Sequence, residues 1–388
     1  MILFWSSVTA SLLAVVGCGY LVAATILVGR FARQPASAPL SSAPAVTVLK
    51  PLHGGEPGLL ENLISFSTQD YPGPVQIVFG LQDANDDAVA VVRQLRNIAP
   101  TADLDLVVES KTHGLNRKVS NLINMAPRIH GEVVIIADSD MRVGPDYLSR
   151  VIAALQAPGV GAVTCLYHGV PVTGAWARLA ALTINAQFLP SVVVGLALGL
   201  ARPCFGSTIA LRSEALARIG GLKAFADCLA DDYAVGNALR AHGYKVSIPP
   251  FAIAHMCTQT SPTELWRHQL RWARTVRSID RAGYAGSMVS HAFPWALIAV
   301  LAGVGSAALL PAIIITIASL ACRMTLLREV ERAFALPAQT YWLVPASDLL
   351  SFAVFVFGFL GWDVSWKGRR YHMAAGGNWM ADRGSYSP

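Results

Sequence analysis

The stretch EVVIIADSD, residues 132–140, decides how this chain is read. Four apolar β-formers, Val133 to Ile136, lead through Ala137 into two acids on alternate positions, Asp138 and Asp140. A short continuous apolar run of this kind reads as a strand buried on both faces. Its carboxyl end is where open α/β sheets bind their ligands. Outward from it, AVTVLK (45–50), VQIVFGL (75–81), LDLVVE (104–109) and VGAVTCL (160–166) read as further strands. PGLLENL (57–63), Ala88 to Ile98 and Lys118 to Met125 read as helices between them. Strands alternating with helices predict an α/β fold with a mostly parallel sheet.

Composition adds a second part. The chain has 388 residues, 54% hydrophobic and 14% charged, with a mean hydropathy of +0.47. A soluble domain carries roughly 25% charged residues, so a disordered chain and a purely soluble globule are both excluded. The length allows about two domains. The net charge is +6, with 24 Arg against 6 Lys, and sparse Lys with abundant Ala suits a GC-rich bacterial genome. On a membrane protein such an excess marks a face toward anionic lipid. No arginine-rich tract interleaved with aromatics occurs in the sheet region, so no nucleic-acid partner is expected. Six cysteines without CxxC spacing read as reduced thiols, not as a disulfide framework or zinc site.

The first charged residue is Arg30, and Val8 to Val28 is long enough to cross roughly 30 Å of hydrocarbon as a helix. Residues 1–33 therefore read as an N-terminal anchor. Arg30 and Arg33 put the sheet region in the cytoplasm under the positive-inside rule. QPASAPLSSAPA (34–45) reads as an extended linker. No Asp, Glu, Lys or Arg occurs from 282 to 321, a stretch that would be about 60 Å long as one helix. It is expected to be an interfacial piece plus one pass, or a hairpin turning near Gly303, Gly305 or Pro311. A further apolar region, Tyr341 to Trp362, contains Asp348, and Lys367, Arg369 and Arg370 make the tail basic. The expected division is anchor 1–33, linker 34–45, cytoplasmic catalytic domain 46–260, interfacial helix 261–282, membrane region 283–366 and cytoplasmic tail 367–388.

Three strand ends deliver chemistry to one rim: Lys50, Asp83, and Asp138 with Asp140. A single Asp after a strand is also a common turn residue or cap. Paired carboxylates next to phosphate oxygens suit Mg²⁺ or Mn²⁺, which would neutralise a departing diphosphate. No GxxxxGK[ST] loop and no helix-opening GxGxxG is present, so an NTPase or a dinucleotide enzyme is not expected. GLNRK (114–118) puts Arg117 and Lys118 at a helix start, where a phosphate can bind. Asp231 and Asp232 stand together in an apolar setting. Their repulsion can raise one pKa and create a general base, or one of them caps a helix. SPTE (261–264) is a capping box that opens a helix carrying Arg267, Arg271, Arg274, Arg277 and Arg281. Those arginines read as lipid-phosphate contacts on one face, with His268, Arg271 and Trp272 reaching a site on another. Leu189 to Leu200 is 12 apolar residues, too short to span, and reads as a lipid-facing entrance or a buried core helix. Asp348 reads as a functional residue or as the cap of a helix broken at Pro345.

VTVLKPLHG, QDYP (69–72), LQDANDDA, GLNRKVSNL, ADSDMRVGPDYL, GGLKAFADCLADDYA and HQLRW occur in that order, followed near the end by WDVSW (362–366) and GRRY (368–371). In this order and spacing the chain resembles the family 2/21 glycosyltransferases of GT-A fold. The likeness runs toward ceramide-glucosyltransferase-like members and their bacterial relatives in hopanoid biosynthesis, over about residues 46–282. The resemblance implies a UDP-sugar donor whose uracil and ribose meet Asp83. It implies Asp138 and Asp140 at the sugar nucleotide and its metal, and Lys118 in the donor site. Asp232 would be the base for the acceptor hydroxyl, and Arg271 and Trp272 would meet the diphosphate and acceptor. Residue 268 is His where the family carries Gln or Arg. CFGSTIALRSEAL (204–216) is nearer the hopanoid enzymes, which implies N-acetylglucosamine transfer to bacteriohopanetetrol and other hopanoid-pathway enzymes as partners. The rivals are a glucosyltransferase acting on ceramide or a sterol, a processive polysaccharide synthase, and an inactive membrane scaffold. Two to four apolar passes are few for threading a polymer, and the full set of acids argues against a scaffold.

Overall fold

The structure, a computed structural model, describes the chain except residues 36, 362, 367–368, 374–378 and 382–388. Two compact units emerge. One is Pro35–Val172 with Pro203–Thr258, and the other is Met1–Gln34, Thr173–Arg202 and Gln259–Pro388.

The first unit is built on β1 (Val46–Pro51), β2 (Val75–Leu81), β3 (Asp103–Val108), β4 (Val133–Ile136), β5 (Met141–Arg142), β6 (Val160–Thr164), β7 (Leu166–Pro171), β8 (Ile209–Arg212), β9 (Lys245–Ser247) and β10 (Ala252–Cys257). Seven of these form one sheet in the order β3-β2-β1-β4-β8-β6-β9, parallel except where β8 runs antiparallel to both neighbours. The mostly parallel α/β sheet expected from the sequence is the one observed. All four residues of β4 are buried, as a strand covered on both faces must be. Helices Arg117–Met125 and Asp231–Ala241 cover one face through Val119, Leu122, Val235 and Leu239, packed on Leu49, Val134 and Leu211. A second sheet, β5-β10-β7, lays β10 beside the chain leaving Asp140.

The second unit is helical. Ile2–Ala32, Ala175–Ala197, Leu309–Phe334 and Tyr341–Gly358 are long and apolar enough to cross a membrane. Arg281–Ser290 and Ala292–Gly303 meet at 63° and would make a fifth span if taken together. Small residues bring helices together: a Cβ on Gly17 would lie 2.7 Å from that of Ala292. After Ala292–Gly303 the chain turns at Gly303–Ser306, with Gly305 at φ +75°, and enters Leu309–Phe334.

Three expectations change here. The run 189–200 is not an isolated short segment. It continues Ala175–Thr183 through a π-helical turn, Ile184–Phe188, into a helix of 23 residues. Residues 173–202 therefore leave the expected uninterrupted block 46–260 and belong to the helical unit. Asp348 neither lines an open site nor caps a helix. It pairs with Arg323 at 3.1 Å, both side chains 1% exposed, and accepts from Gln187 at 2.8 Å. Arg323 also donates to the carbonyls of Ala186 and Ser290, each at 2.7 Å, so the pair ties four segments together. Asp363–Trp366, Arg369–Met373 and Trp379–Ala381 pair as a small antiparallel sheet. Trp362, Lys367 and Gly368 of the sequence motifs, and most of the tail 367–388, lie outside the described residues.

Candidate active site

β4 ends at Ile136, and Asp138 follows at the carboxyl edge of the sheet. Asn116 caps the Arg117–Met125 helix by accepting from the Val119 amide, which starts the helix at Arg117 and sends Lys118 toward the same edge. Lys118 Nζ lies 2.6 Å from Asp138 Oδ1 and 3.6 Å from Asp231 Oδ2. Burial disfavours the Lys118 ammonium, yet Asp138, Asp231 and Asp232 outweigh it and hold its pKa above the ordinary value.

Asp231 and Asp232 form the first turn of the Asp231–Ala241 helix, where backbone N–H groups favour negative charge. Their approach is tied to the Lys118 loop. Asn116 Nδ2 donates to Cys228 O at 2.7 Å and to Asp231 Oδ1 at 3.2 Å, and the Leu115 amide donates to Asp227. A Cβ on Gly114 would stand 2.6 Å from Ala226 O, so the two loops touch backbone to backbone. Asp232 accepts from the amides of Gly206, at 3.0 Å, and of Tyr233, at 2.8 Å. Burial, then the neighbouring Asp231, push the Asp232 carboxyl up to about 6, against the pull of Lys118 and the two amides. Burial raises Asp231 as well, while Lys118 opposes it. Gly206 joins the halves: its carbonyl accepts from the Asp138 amide, and a Cβ there would meet Asp138 Oδ2 and Lys118 Nζ at 2.9 Å.

Asp140 lies on the other side of the turn, with Oδ2 3.6 Å from Nδ1 of buried His255, and its Oδ1 is closed off from solvent and accepts no hydrogen bond among the described residues. The sheet unit thus brings Lys118, Asp138, Asp140, Asp231 and Asp232 together. Asp83 is exposed at the end of β2 and accepts from the Asn85 amide at 2.9 Å. Lys50, expected at the sheet rim, is 0% exposed, and its Nζ donates to Asp138 O at 2.6 Å. Burial lowers its pKa to about 7, opposed by Asp140, Asp138 and Glu56.

His268, Arg271 and Trp272 belong to the helical unit, on the Pro262–Ile279 helix. Ser261 accepts from the Glu264 amide there, as the capping box requires. The His268 and Trp272 rings are 4.5 Å apart, and Trp272 also meets Phe188 from the π-helical turn at 6.2 Å. Two arginines expected on lipid phosphates bond protein instead. Arg274 and Arg277 donate to the carbonyls of Leu360 and Gly361, each at 2.6 Å, satisfying backbone acceptors at the end of Tyr341–Gly358.

Sequence reading missed Asn116 as the stitch, Gly206 as the bridge and His255 as the neighbour of Asp140. Asn116 stands inside GLNRK (114–118), and its position one residue before a basic helix start signals a cap. His255 carries no local signal. Replacing Asn116 by Ala is expected to cost about 1–2 kcal/mol through the lost cap and donors, read as a lower thermal midpoint in detergent.

A family model, "Glycosyl transferase family 21", matches residues 9–379. The chain is 28% identical over 206 residues to ceramide glucosyltransferase 1 of Caenorhabditis elegans, covering 53% of this chain and 44% of that protein. It is 24% identical over 243 residues to an N-acetylglucosaminyltransferase of Rhizobium leguminosarum bv. viciae, covering 60% and 55%. The matches span about half the length of these relatives. Among solved structures, the mannosyltransferase PcManGT from Pyrobaculum calidifontis superposes with a TM-score of 0.54 at 22% identity, over 92% of this chain and 99% of that one. The fold is a glycosyltransferase fold, and with a family match over nearly its whole length the chain belongs to glycosyl transferase family 21.

Proposed function

We propose that this chain moves one sugar from a UDP-sugar to a hydroxyl of a membrane lipid with inversion, and that the pair is N-acetylglucosamine and bacteriohopanetetrol. The observation that carries the reading is the cluster of Lys118, Asp138, Asp231 and Asp232 at the sheet edge, in a chain whose described residues also include four membrane-length helices. The N-acetylglucosaminyltransferase relative supports the donor sugar. Segment 204–216 supports the acceptor, with Gly206 of that segment set between Asp138 and Asp232. The chain's basic residues after the first helix, Arg30 and Arg33, support a catalytic unit on the cytoplasmic side of a bacterial inner membrane.

In this reading Asp232 takes the proton as the acceptor oxygen attacks the anomeric carbon. The bond to the diphosphate breaks on the opposite face, so one displacement inverts the centre. Gly206 N–H and Tyr233 N–H aim both carboxylate oxygens of Asp232. Lys118 offsets the charge that grows on the departing diphosphate. Arg271 and Trp272, held on their helix beside His268, serve the diphosphate and the acceptor.

The residues fit a divalent cation. Asp140 keeps an unbonded, buried carboxylate oxygen with His255 beside it, while Asp138 leans on Lys118. Among the described residues no cluster of three His, Cys, Asp or Glu encloses an ion. Mg²⁺ and Mn²⁺ take one or two carboxylates and complete their shell with substrate phosphates and water. Asp140, with Asp138, would hold it, and when bound it would act as a Lewis acid on the diphosphate. The PcManGT structure was determined with GDP-mannose and Mn²⁺.

The test offers purified protein UDP-N-acetylglucosamine and UDP-glucose, each with bacteriohopanetetrol and with ceramide, with and without Mn²⁺ or Mg²⁺. Transfer of N-acetylglucosamine to the hopanoid is expected. Glucose on ceramide would favour the second reading, which the ceramide glucosyltransferase relatives support. The pH profile is a further check. Asp232 works ionised, and its carboxyl sits at about 6 rather than its ordinary value. Turnover should therefore fall as pH drops through about 6, well above the range where an exposed Asp would titrate. A profile flat down to pH 4.5 would contradict this role.

A further inference from the structure

The turn that carries Asp138 and Asp140 is held from beneath by buried side chains. Lys50 Nζ donates to Asp138 O at 2.6 Å, Asn62 Nδ2 donates to Ser139 O at 3.2 Å, and the Met256 amide donates to Asp140 O at 2.8 Å. Three successive carbonyls thus each accept a hydrogen bond from outside the turn, and Asp138 O also accepts from the Met141 amide at 3.4 Å. Two of the donors are side chains that could have been apolar, and both are buried. A buried ammonium is costly unless its surroundings compensate it. Part of that cost is offset by Asp140 and Asp138 of the turn, by Glu56, and by the Phe66 ring, whose centroid is 3.8 Å from Nζ. Asn62 is used at both ends, since its Oδ1 also accepts from Arg142 Nε at 3.1 Å just beyond the turn.

We propose that Lys50 and Asn62 are positioning residues that lock the Asp138–Ser139–Asp140 turn before substrate arrives, so that both carboxylates meet the donor diphosphate in one fixed arrangement. The proposal rests on the reading of this turn as the donor side of the site. It assigns Lys50 no contact with the donor. Lys50 supplies one internal cation beneath a turn bearing two acids, and Asn62 supplies a neutral second post.

The test uses the full chain in detergent, with Lys50→Met, which keeps an unbranched stem of similar reach, and Asn62→Ala, which leaves the charges in place. Backbone amide exchange is followed by mass spectrometry in peptides covering 138–142, with 75–81 and 160–164 as internal controls. Donor and acceptor kinetics are measured in parallel. Both variants should exchange about tenfold faster at 138–142 with the control strands unchanged. The donor kcat/KM should fall about 10–100-fold in Lys50→Met, with the acceptor KM unchanged. Unchanged exchange at the turn in both variants would overturn the proposal, as would faster exchange with wild-type donor kinetics. If Lys50→Met loosens every strand, Asn62→Ala decides: local loosening alone upholds the lock, and none refutes it. A wild-type chain that transfers no sugar would sink the functional reading, while the exchange comparison would still decide whether these side chains hold the turn.

Discussion

Asp232→Asn is expected to lower kcat on the order of 10³-fold, with donor KM changed by only a few-fold. The amide cannot take a proton from the acceptor, yet its oxygen still accepts one of the two N–H bonds now made by Gly206 and Tyr233. The position is half-buried and the change nearly isosteric, so the thermal midpoint should move little. Asp231→Asn is the contrast. Asp231 faces Lys118 and Asn116, and its loss should weaken donor binding more than it slows turnover. Steady-state kinetics of both variants check the assignment. A live Asp232→Asn beside a dead Asp231→Asn would exchange the two roles.

The second large effect lies in the helical unit. Arg323→Met leaves Asp348 without its cation, 1% exposed among membrane-length helices. Removing one partner of a buried pair costs about 3–5 kcal/mol, and here it also frees the carbonyls of Ala186 and Ser290. Most of the protein should be lost to aggregation on detergent extraction, seen by size-exclusion chromatography. Arg323→Met with Asp348→Leu removes both charges and should recover much of the folded yield. A single variant as stable as wild type would show that the pair does not hold these segments together.

Those two regions differ in how legible they were. β4 and its two acids could be read locally, because a strand covered on both faces must be apolar throughout and its end must turn. The capping box at Ser261 was equally local, since cap and partner stand three residues apart. The Ala175–Ala197 helix was not. Thr183, Asn185 and Gln187 break its apolar run, and only tertiary structure shows them bonded to Ser347, Gln339 and Asp348. β8 is four residues long, and its antiparallel place between β4 and β6 has no sequence mark. Lys50 looked like a ligand contact because a cation at a strand end often is one. The Phe66 ring and the turn that bury it come from elsewhere in the chain. His255 meets Asp140 across 115 positions, through the pairing of β10 with β5, which no local pattern encodes.

A single inverting transfer to a lipid is recorded in the product. Purified wild-type protein is incubated with UDP-N-acetylglucosamine and bacteriohopanetetrol, and the extracted lipid is examined by mass spectrometry and proton NMR. One sugar per lipid, β-linked from the α-linked donor, is the expected result. An α-linked product, a ladder of added sugars, or no lipid-linked sugar from this or any UDP-sugar and membrane lipid would contradict it.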